Sequence, residues 1–136
     1  MAADRGNAER PLRRALALDA IATGATALLL VTAGGALAGP LALPASLLRG
    51  SGAALVPYVL LVGLLARAPS LSRGASWAVV GCNAAWVAAS VLLVESGAVS
   101  PSALGVAFVL AQAAAVAGLT ALQVVALRSG AAAAVR

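Results

Sequence analysis

The sequence contains no histidine and one cysteine, and only 10% of its 136 residues are charged. One cysteine excludes an internal disulfide, and without a Cys/His cluster there is no ligand set for zinc, haem or an iron–sulfur centre. Without an imidazole, Ser/His/Asp and Cys/His catalysis lack their general base. We therefore expect no enzyme activity, no bound metal and no cofactor.

Apolar residues make up 62% of the chain, and aromatic residues only 3%. Soluble domains contain about 45–50% apolar and about 25% charged residues, so the composition lies far outside that class. Disorder is also excluded, because it requires low hydrophobicity and high charge. The composition indicates a polytopic membrane protein.

Four apolar segments have the length of a membrane-spanning helix, which needs about 20 predominantly apolar residues. They cover residues 15–38, 44–66, 75–95 and 102–127. A polar segment, 1–14, precedes this transmembrane domain of residues 15–128, and a short tail, 129–136, follows it. The sequence predicts an all-α, up-down-up-down four-helix transmembrane bundle.

The basic residues orient the bundle. All are arginines, and all but Arg49 lie outside the predicted spans or at their borders: Arg5, Arg10, Arg13, Arg14, Arg67, Arg73, Arg128 and Arg136. The loops 39–43 and 96–101 contain none. By the positive-inside rule both termini and the middle loop are cytoplasmic. The net charge of +5 therefore reflects topology, and we expect a lipid bilayer rather than a nucleic acid as partner.

Polar residues within the predicted spans are the candidate functional residues, because each costs free energy unless it faces a partner or water. They are Asp19, Tyr58, Asn83, Gln112 and Gln123. At about 1.5 Å per residue, Asp19 and Gln123 lie about 7–8 Å inside the cytoplasmic arginines and are neighbours if the first and fourth helices touch. We place the other three nearer the middle of the membrane.

Asp19 has two interpretations. Water or a nearby arginine such as Arg14, Arg67 or Arg128 can satisfy it, which makes its role structural. Alternatively, it binds a proton or a cation. The amides of Asn83, Gln112 and Gln123 also have two interpretations. They bond across helices and so support packing, as amides commonly do in membranes, or they act together with Asp19 in a proton or cation site.

Arg49 and Glu95 are charged residues of the opposite, outer level. Arg49 lies near the start of the second span, and Glu95 ends the third. Their matched depth predicts an ion pair, which we interpret as an anchor more than as a substrate-binding group.

Small residues recur at four-residue intervals in the third and fourth spans. Gly81, Ala85 and Ala89 lie on one face, and Ala107, Ala111 and Ala115 form a similar ridge. Such ridges allow close helix packing in membranes. The sequence does not distinguish packing within the bundle from a homo-oligomer or a larger membrane complex.

Short motifs accompany the predicted spans: Leu18-Asp19-Ala20, Leu43-Pro44, Asn83-Ala-Ala-Trp86-Val87, and Gln112 with Gln123. With them, residues 12–128 resemble a group of small four-span bacterial inner-membrane proteins without an assigned activity. The resemblance implies the same architecture and the bacterial cytoplasmic membrane. Small multidrug transporters also have four short helices and one acid in the first, but here the acid is aspartate and the surrounding residues differ.

The sequence leaves two functional hypotheses. The first is a structural or accessory membrane component that packs through its small-residue faces. The alternative is a proton- or cation-coupled transporter, oligomeric in form, that uses Asp19 with Asn83, Gln112 and Gln123. A membrane enzyme is not expected, since acid/base groups are few.

The predicted topology can be tested with cysteines placed in two loops of a Cys82→Ser background. A membrane-impermeant maleimide added outside intact cells should label Ala98→Cys, because the loop 96–101 is predicted to face outward. Ser70→Cys should react only after permeabilisation. Labelling of Ser70→Cys but not Ala98→Cys in intact cells would reverse the orientation.

Overall fold

The computed structural model describes residues 2–134, and the side chains of residues 6–130. This part of the chain is entirely helical apart from its connections. The helices are α1 (Ala2–Leu41), α2 (Ala45–Arg67), α3 (Arg73–Glu95) and α4 (Ala103–Ala134). Each contains a segment long and apolar enough to cross a membrane.

Two helices extend beyond the predicted spans. α1 begins at Ala2, so most of the polar segment 1–14 belongs to the same helix as the first span. α4 continues to Ala134, which makes the described part of the tail helical. Alanine has the strongest helix propensity of all residues, which favours the continuation of α4 through its alanine-rich end.

Local interactions fix the ends of the helices. α1 ends where Ala42 adopts a positive φ of 50°, and the Leu43 amide donates to the Ala38 carbonyl. Ser72 caps α3 by accepting a hydrogen bond from the Ala75 amide. Ser102 accepts one from the Gly105 amide at the start of α4 and donates to the Pro40 carbonyl. These contacts hold the start of α4 against the end of α1.

α1 is the central helix of the bundle. It packs against α2 on one side and α4 on the other, α3 packs against α4, and α2 and α3 barely touch. The order around the bundle is therefore α2, α1, α4, α3. α2 and α3 are the two flanking helices that leave a gap.

Two apolar clusters close the interior. All four helices contribute to the first, which lies near Arg13, Arg67, Arg73 and Arg128 and is called the arginine-end cluster: Leu12, Leu16, Val62, Ala66, Val79, Ala126 and Leu127. The second, the far-end cluster, contains Leu30, Leu41, Leu43 and Leu48 and includes no described residue of α3. The gap between α2 and α3 therefore lies in the half of the bundle away from the arginines.

Large apolar side chains cover the outside of the bundle. Among the most exposed are Ile21, Leu28, Leu60, Leu61 and Leu64. Lipid tails are as apolar as leucine, so a surface of this kind is compatible with a bilayer.

Gly52 allows the close approach of α1 and α2. A Cβ atom at this position would lie 2.8 Å from the Leu30 Cβ, 2.9 Å from the Val31 amide nitrogen and 3.0 Å from the Ala27 carbonyl oxygen. Two of these three atoms are backbone, which cannot rotate away.

Gly52→Ala should therefore lower the free energy of unfolding by about 1–3 kcal/mol, as overpacking does. Gly63→Ala on the same helix is the matched control, because nothing lies within 4 Å of its Cβ position. We expect it to be neutral or to stabilise by about 0.5–1 kcal/mol, the usual gain of alanine over glycine in a helix. Denaturant unfolding in detergent measures both, and equal effects would contradict the close contact.

Candidate functional site

The centre of the bundle contains a hydrogen-bonded cluster built around Asp19, whose side chain is 0% exposed. Every helix contributes to it: α1 provides Asp19 and Thr23, α2 provides Tyr58, α3 provides Asn83 and α4 provides Gln123. We call these five residues the Asp19 cluster.

Both carboxylate oxygens of Asp19 have partners. Thr23, one helical turn further on, donates to Oδ1 at 2.9 Å. Oδ2 lies 2.9 Å from the Tyr58 hydroxyl, 2.8 Å from the Asn83 amide nitrogen and 2.7 Å from the Gln123 amide nitrogen. One carboxylate thus joins four helices by short hydrogen bonds.

None of these partners carries a charge. The only salt bridge among residues 6–130 joins Arg13 to Glu9 within α1, at 3.2 Å. The interpretation in which an arginine satisfies Asp19 is thus not the arrangement that the structure adopts. An ionised carboxylate buried without a cation is costly, even when dipoles surround it.

Counting protons shows how the cluster can avoid that cost. The Tyr58 hydroxyl lies 2.9 Å from Asp19 Oδ2 and 2.7 Å from Asn83 Oδ1, but it has a single proton to donate. If Asp19 is ionised, one of these two close contacts contains no proton. If Asp19 Oδ2 is protonated, it donates to Tyr58, Tyr58 donates to Asn83, and both contacts become hydrogen bonds.

The same count holds if the Asn83 amide is turned over, since its oxygen and nitrogen are assigned from the hydrogen-bond network. The amide oxygen then faces Asp19 Oδ2 at 2.8 Å, and that contact again needs a proton on Asp19. In either orientation, one close contact of the Asp19 cluster lacks a proton while Asp19 is ionised, and a proton on Oδ2 supplies it.

A cavity of about 260 Å³ adjoins the cluster. Thr23, Tyr58 and Asn83 belong to both, so they form its floor, and Asp19 lies directly behind them. The other lining residues are mostly apolar: Ala22, Thr26, Ala54, Leu55, Cys82, Trp86, Gln112, Ala115, Val116 and Leu119. The cavity is a small, mostly apolar space, with Thr23, Tyr58 and Asn83 beside Asp19 and with Thr26 and Gln112 elsewhere on its wall.

The arginine end of the bundle is closed below this floor. The arginine-end cluster fills the space between the helices there. Arg13 donates to the carbonyls of Ala66 and Ala68, both at 2.7 Å, and Arg73 donates to the Leu127 carbonyl at 3.0 Å. These bonds tie the start of α1 to the end of α2, and the start of α3 to the end of α4.

The other half of the bundle is looser between α2 and α3. The buried residues of α3 are Ser76, Val79 and Asn83, all in the half of the helix nearer the arginines. Beyond Asn83, Trp86 on α3 and Leu55 on α2 both line the cavity. The cavity therefore lies beside the gap between these two helices.

Four of the five predicted polar residues meet in the structure, and two of these four differ from the depth that the sequence predicted. Asp19 and Gln123 are in contact, as the residue count expects. Tyr58 and Asn83 join them, although the count placed both nearer the middle of the membrane, because helix tilt and side-chain reach do not enter such a count. Gln112 does not join: it lines the cavity, and its side chain makes no hydrogen bond to the described residues.

The predicted Arg49–Glu95 ion pair is not formed, since these described residues are not within salt-bridge distance. Arg49 instead lies across the glycines of α1: a Cβ on Gly35 would lie 2.6 Å from Arg49 Nη2, and one on Gly34 would lie 3.1 Å from Arg49 Cγ. α2 faces α1 at this level, while the end of α3 is separated from α2.

Trp86 and Cys82 are cavity residues that sequence reasoning did not assign to a site. Cys82 lies one residue before Asn83, and Trp86 lies three residues after it, a spacing that places Trp86 near the Asn83 face of the helix. That spacing is the only signal in the sequence that could have found them.

Comparisons with protein-family models, with curated proteins and with solved structures found no match for this chain. The geometry of the Asp19 cluster and its cavity therefore carries the functional argument.

Gln123 and Gln112 offer a matched test of the cluster, because both are glutamines of α4. Gln123→Leu removes a buried donor to Asp19 and should lower the free energy of unfolding by about 1–3 kcal/mol. Gln112→Leu adds an apolar group to the cavity wall and should change it by less than about 0.5 kcal/mol. Unfolding in detergent measures both, and equal losses would show that the Asp19 bond does not stabilise the bundle.

Proposed function

We propose that this protein is a proton-coupled transporter of a small molecule in the bacterial cytoplasmic membrane. Asp19 carries the proton, and the adjoining cavity holds the molecule. One observation carries the proposal: a fully buried carboxylate has four uncharged partners and no cation among the described side chains, and it lies directly behind residues that line a cavity. The proposed topology is up-down-up-down with both termini in the cytoplasm.

The position of Asp19 supports a functional role. Ionisable residues within membrane spans are rare and commonly mark proton relays or substrate pathways. A purely structural cluster needs only neutral amides and hydroxyls, which bond across helices without the cost of a buried charge. The carboxylate adds the capacity to change charge at the centre of the bundle.

The asymmetry of the bundle supports transport as well. Alternating access requires a site that is closed toward one side of the membrane and reachable from the other. Here the Arg13 and Arg73 bonds and the arginine-end cluster close one end. The gap between α2 and α3 lies in the other half. Under the proposed topology, this conformation faces outward.

A structural or accessory role is the second candidate, and the small-residue ridges favour it. The residues of both ridges are exposed, and nothing lies within 4 Å of a Cβ on Gly81. These faces are thus not used for packing among the described residues. Co-purification in mild detergent tests this candidate: a stable partner protein favours it, and a chain that purifies alone counts against it.

Asp19→Asn should abolish proton-driven uptake in proteoliposomes while leaving expression unchanged. An asparagine can accept from Tyr58, Asn83 and Gln123 through its oxygen and donate to Thr23, but it cannot exchange a proton at neutral pH. The measurement is solute uptake driven by an imposed pH gradient.

The matched control is Glu95→Gln, which neutralises an exposed acid outside the cluster and should retain uptake. Unchanged uptake in Asp19→Asn, or no uptake by intact protein across a panel of small amines and neutral solutes, would overturn the proposed function.

A further inference from the structure

We propose that the cavity binds a small apolar molecule with a cationic N–H donor, such as a short alkylammonium ion. We further propose that this ligand competes with the proton of Asp19 through Tyr58. The inference rests on the proposed function and names the class of substrate and the residue that couples it to the proton.

The walls select the apolar part of the ligand. Leu55, Val116 and Leu119 provide aliphatic surface, and Trp86 provides a ring. The chain has only four aromatic residues, two Trp, one Tyr and one Phe, and two of them line this cavity. The faces of aromatic rings attract cations. The volume of about 260 Å³ limits the ligand to a small molecule.

The charge behind the floor selects a cation. Asp19 comes from α1, and the titratable groups that face the cluster and cavity from the neighbouring helices are Tyr58 on α2 and Cys82 on α3. α4 contributes the uncharged Gln112 and Gln123. No described cation touches Asp19. A positively charged ligand would therefore supply the counter-ion that the bundle itself lacks.

Tyr58 can link the proton to the ligand because its hydroxyl lies between two acceptors. With Asp19 protonated, the Tyr58 proton is donated to Asn83 Oδ1, 2.7 Å away, so that this carbonyl has a donor within the cluster. With Asp19 ionised, the Tyr58 proton is donated to Asp19 Oδ2 at 2.9 Å, and Asn83 Oδ1 loses its donor. Asn83 lines the cavity, so a ligand N–H can then donate to it.

Loss of the proton thus creates both a negative charge and a free acceptor, and each favours an ammonium ligand. Conversely, a bound ammonium ion favours release of the proton from Asp19. Because coupling between two binding sites is reciprocal, proton and ligand each weaken the binding of the other by the same factor. This is the thermodynamic requirement for exchanging one for the other across a membrane.

The test is a titration of the purified full-length protein in lipid nanodiscs with n-butylammonium, with n-butanol as the neutral control. Trp86 fluorescence reports binding in a Trp77→Phe background. We expect the affinity for n-butylammonium to rise with pH, by at most about tenfold per pH unit, at any pH at which Asp19 of the ligand-free protein is protonated. Proton release is measured in that same pH range. Each bound ion should release one proton, as measured with a pH dye in weak buffer.

Three variants separate the roles of the residues. Asp19→Asn should remove both the pH dependence and the proton release. Tyr58→Phe keeps the ring but lacks the hydroxyl, so the ratio between high-pH and low-pH affinity should narrow while binding persists. Glu95→Gln, an exposed acid outside the cavity and the Asp19 cluster, should behave like the parent protein.

Equal affinity for n-butylammonium and n-butanol, no binding of n-butylammonium, or binding without proton release would overturn the inference. Asp19-dependent proton flux without ammonium binding would overturn the inference and leave the proposed function intact. Ammonium binding with proton release but without any Asp19-dependent flux would support the site and overturn transport.

Discussion

The carboxylate of Asp19 and its four uncharged donors are the interaction on which the rest of the bundle depends. Each of the four helices contributes at least one group to it, so the cluster fixes how all four are rotated about their axes. Interhelical hydrogen bonds in membranes contribute about 0.6–2 kcal/mol each. Apolar contacts between helices compete with equally apolar lipid, and therefore specify rotation less strongly.

The same carboxylate places an ionisable group without a cationic partner among the described residues in the interior of the bundle, which helix packing alone does not require. A structure built only for stability would place an arginine beside Asp19 or replace it with an amide. Instead, two of the described arginines, Arg13 and Arg73, bond to backbone carbonyls at one end of the bundle. The interior is left with one ionisable acid beside a cavity. The backbone contacts of Arg13 and Arg73 thus lie at one end of the bundle, and the ionisable Asp19 lies in its interior.

Much of the architecture follows from the sequence by simple physics. The apolar runs predict four helices, and the structure has four with closely similar central spans. The polar stripes identify Asp19, Tyr58, Asn83 and Gln123 as inward-facing, and all four meet. The extra length of α1 and α4 was not expected, because hydropathy reports the apolar span of a helix and not where its hydrogen bonding ends.

The sequence by itself determined the class of the protein, its spans and its candidate polar residues, because hydrophobicity and helical period are local properties. Only the tertiary structure decided which of those residues meet. The packing of the helices brought Tyr58 and Asn83 into contact with Asp19 and left Gln112 on the cavity wall. Because α2 and α3 are separated, Arg49 lies against α1 and does not form the predicted ion pair with Glu95. Depth along a helix can be counted from a sequence, but the contacts between helices depend on tilt and rotation, which all four set together.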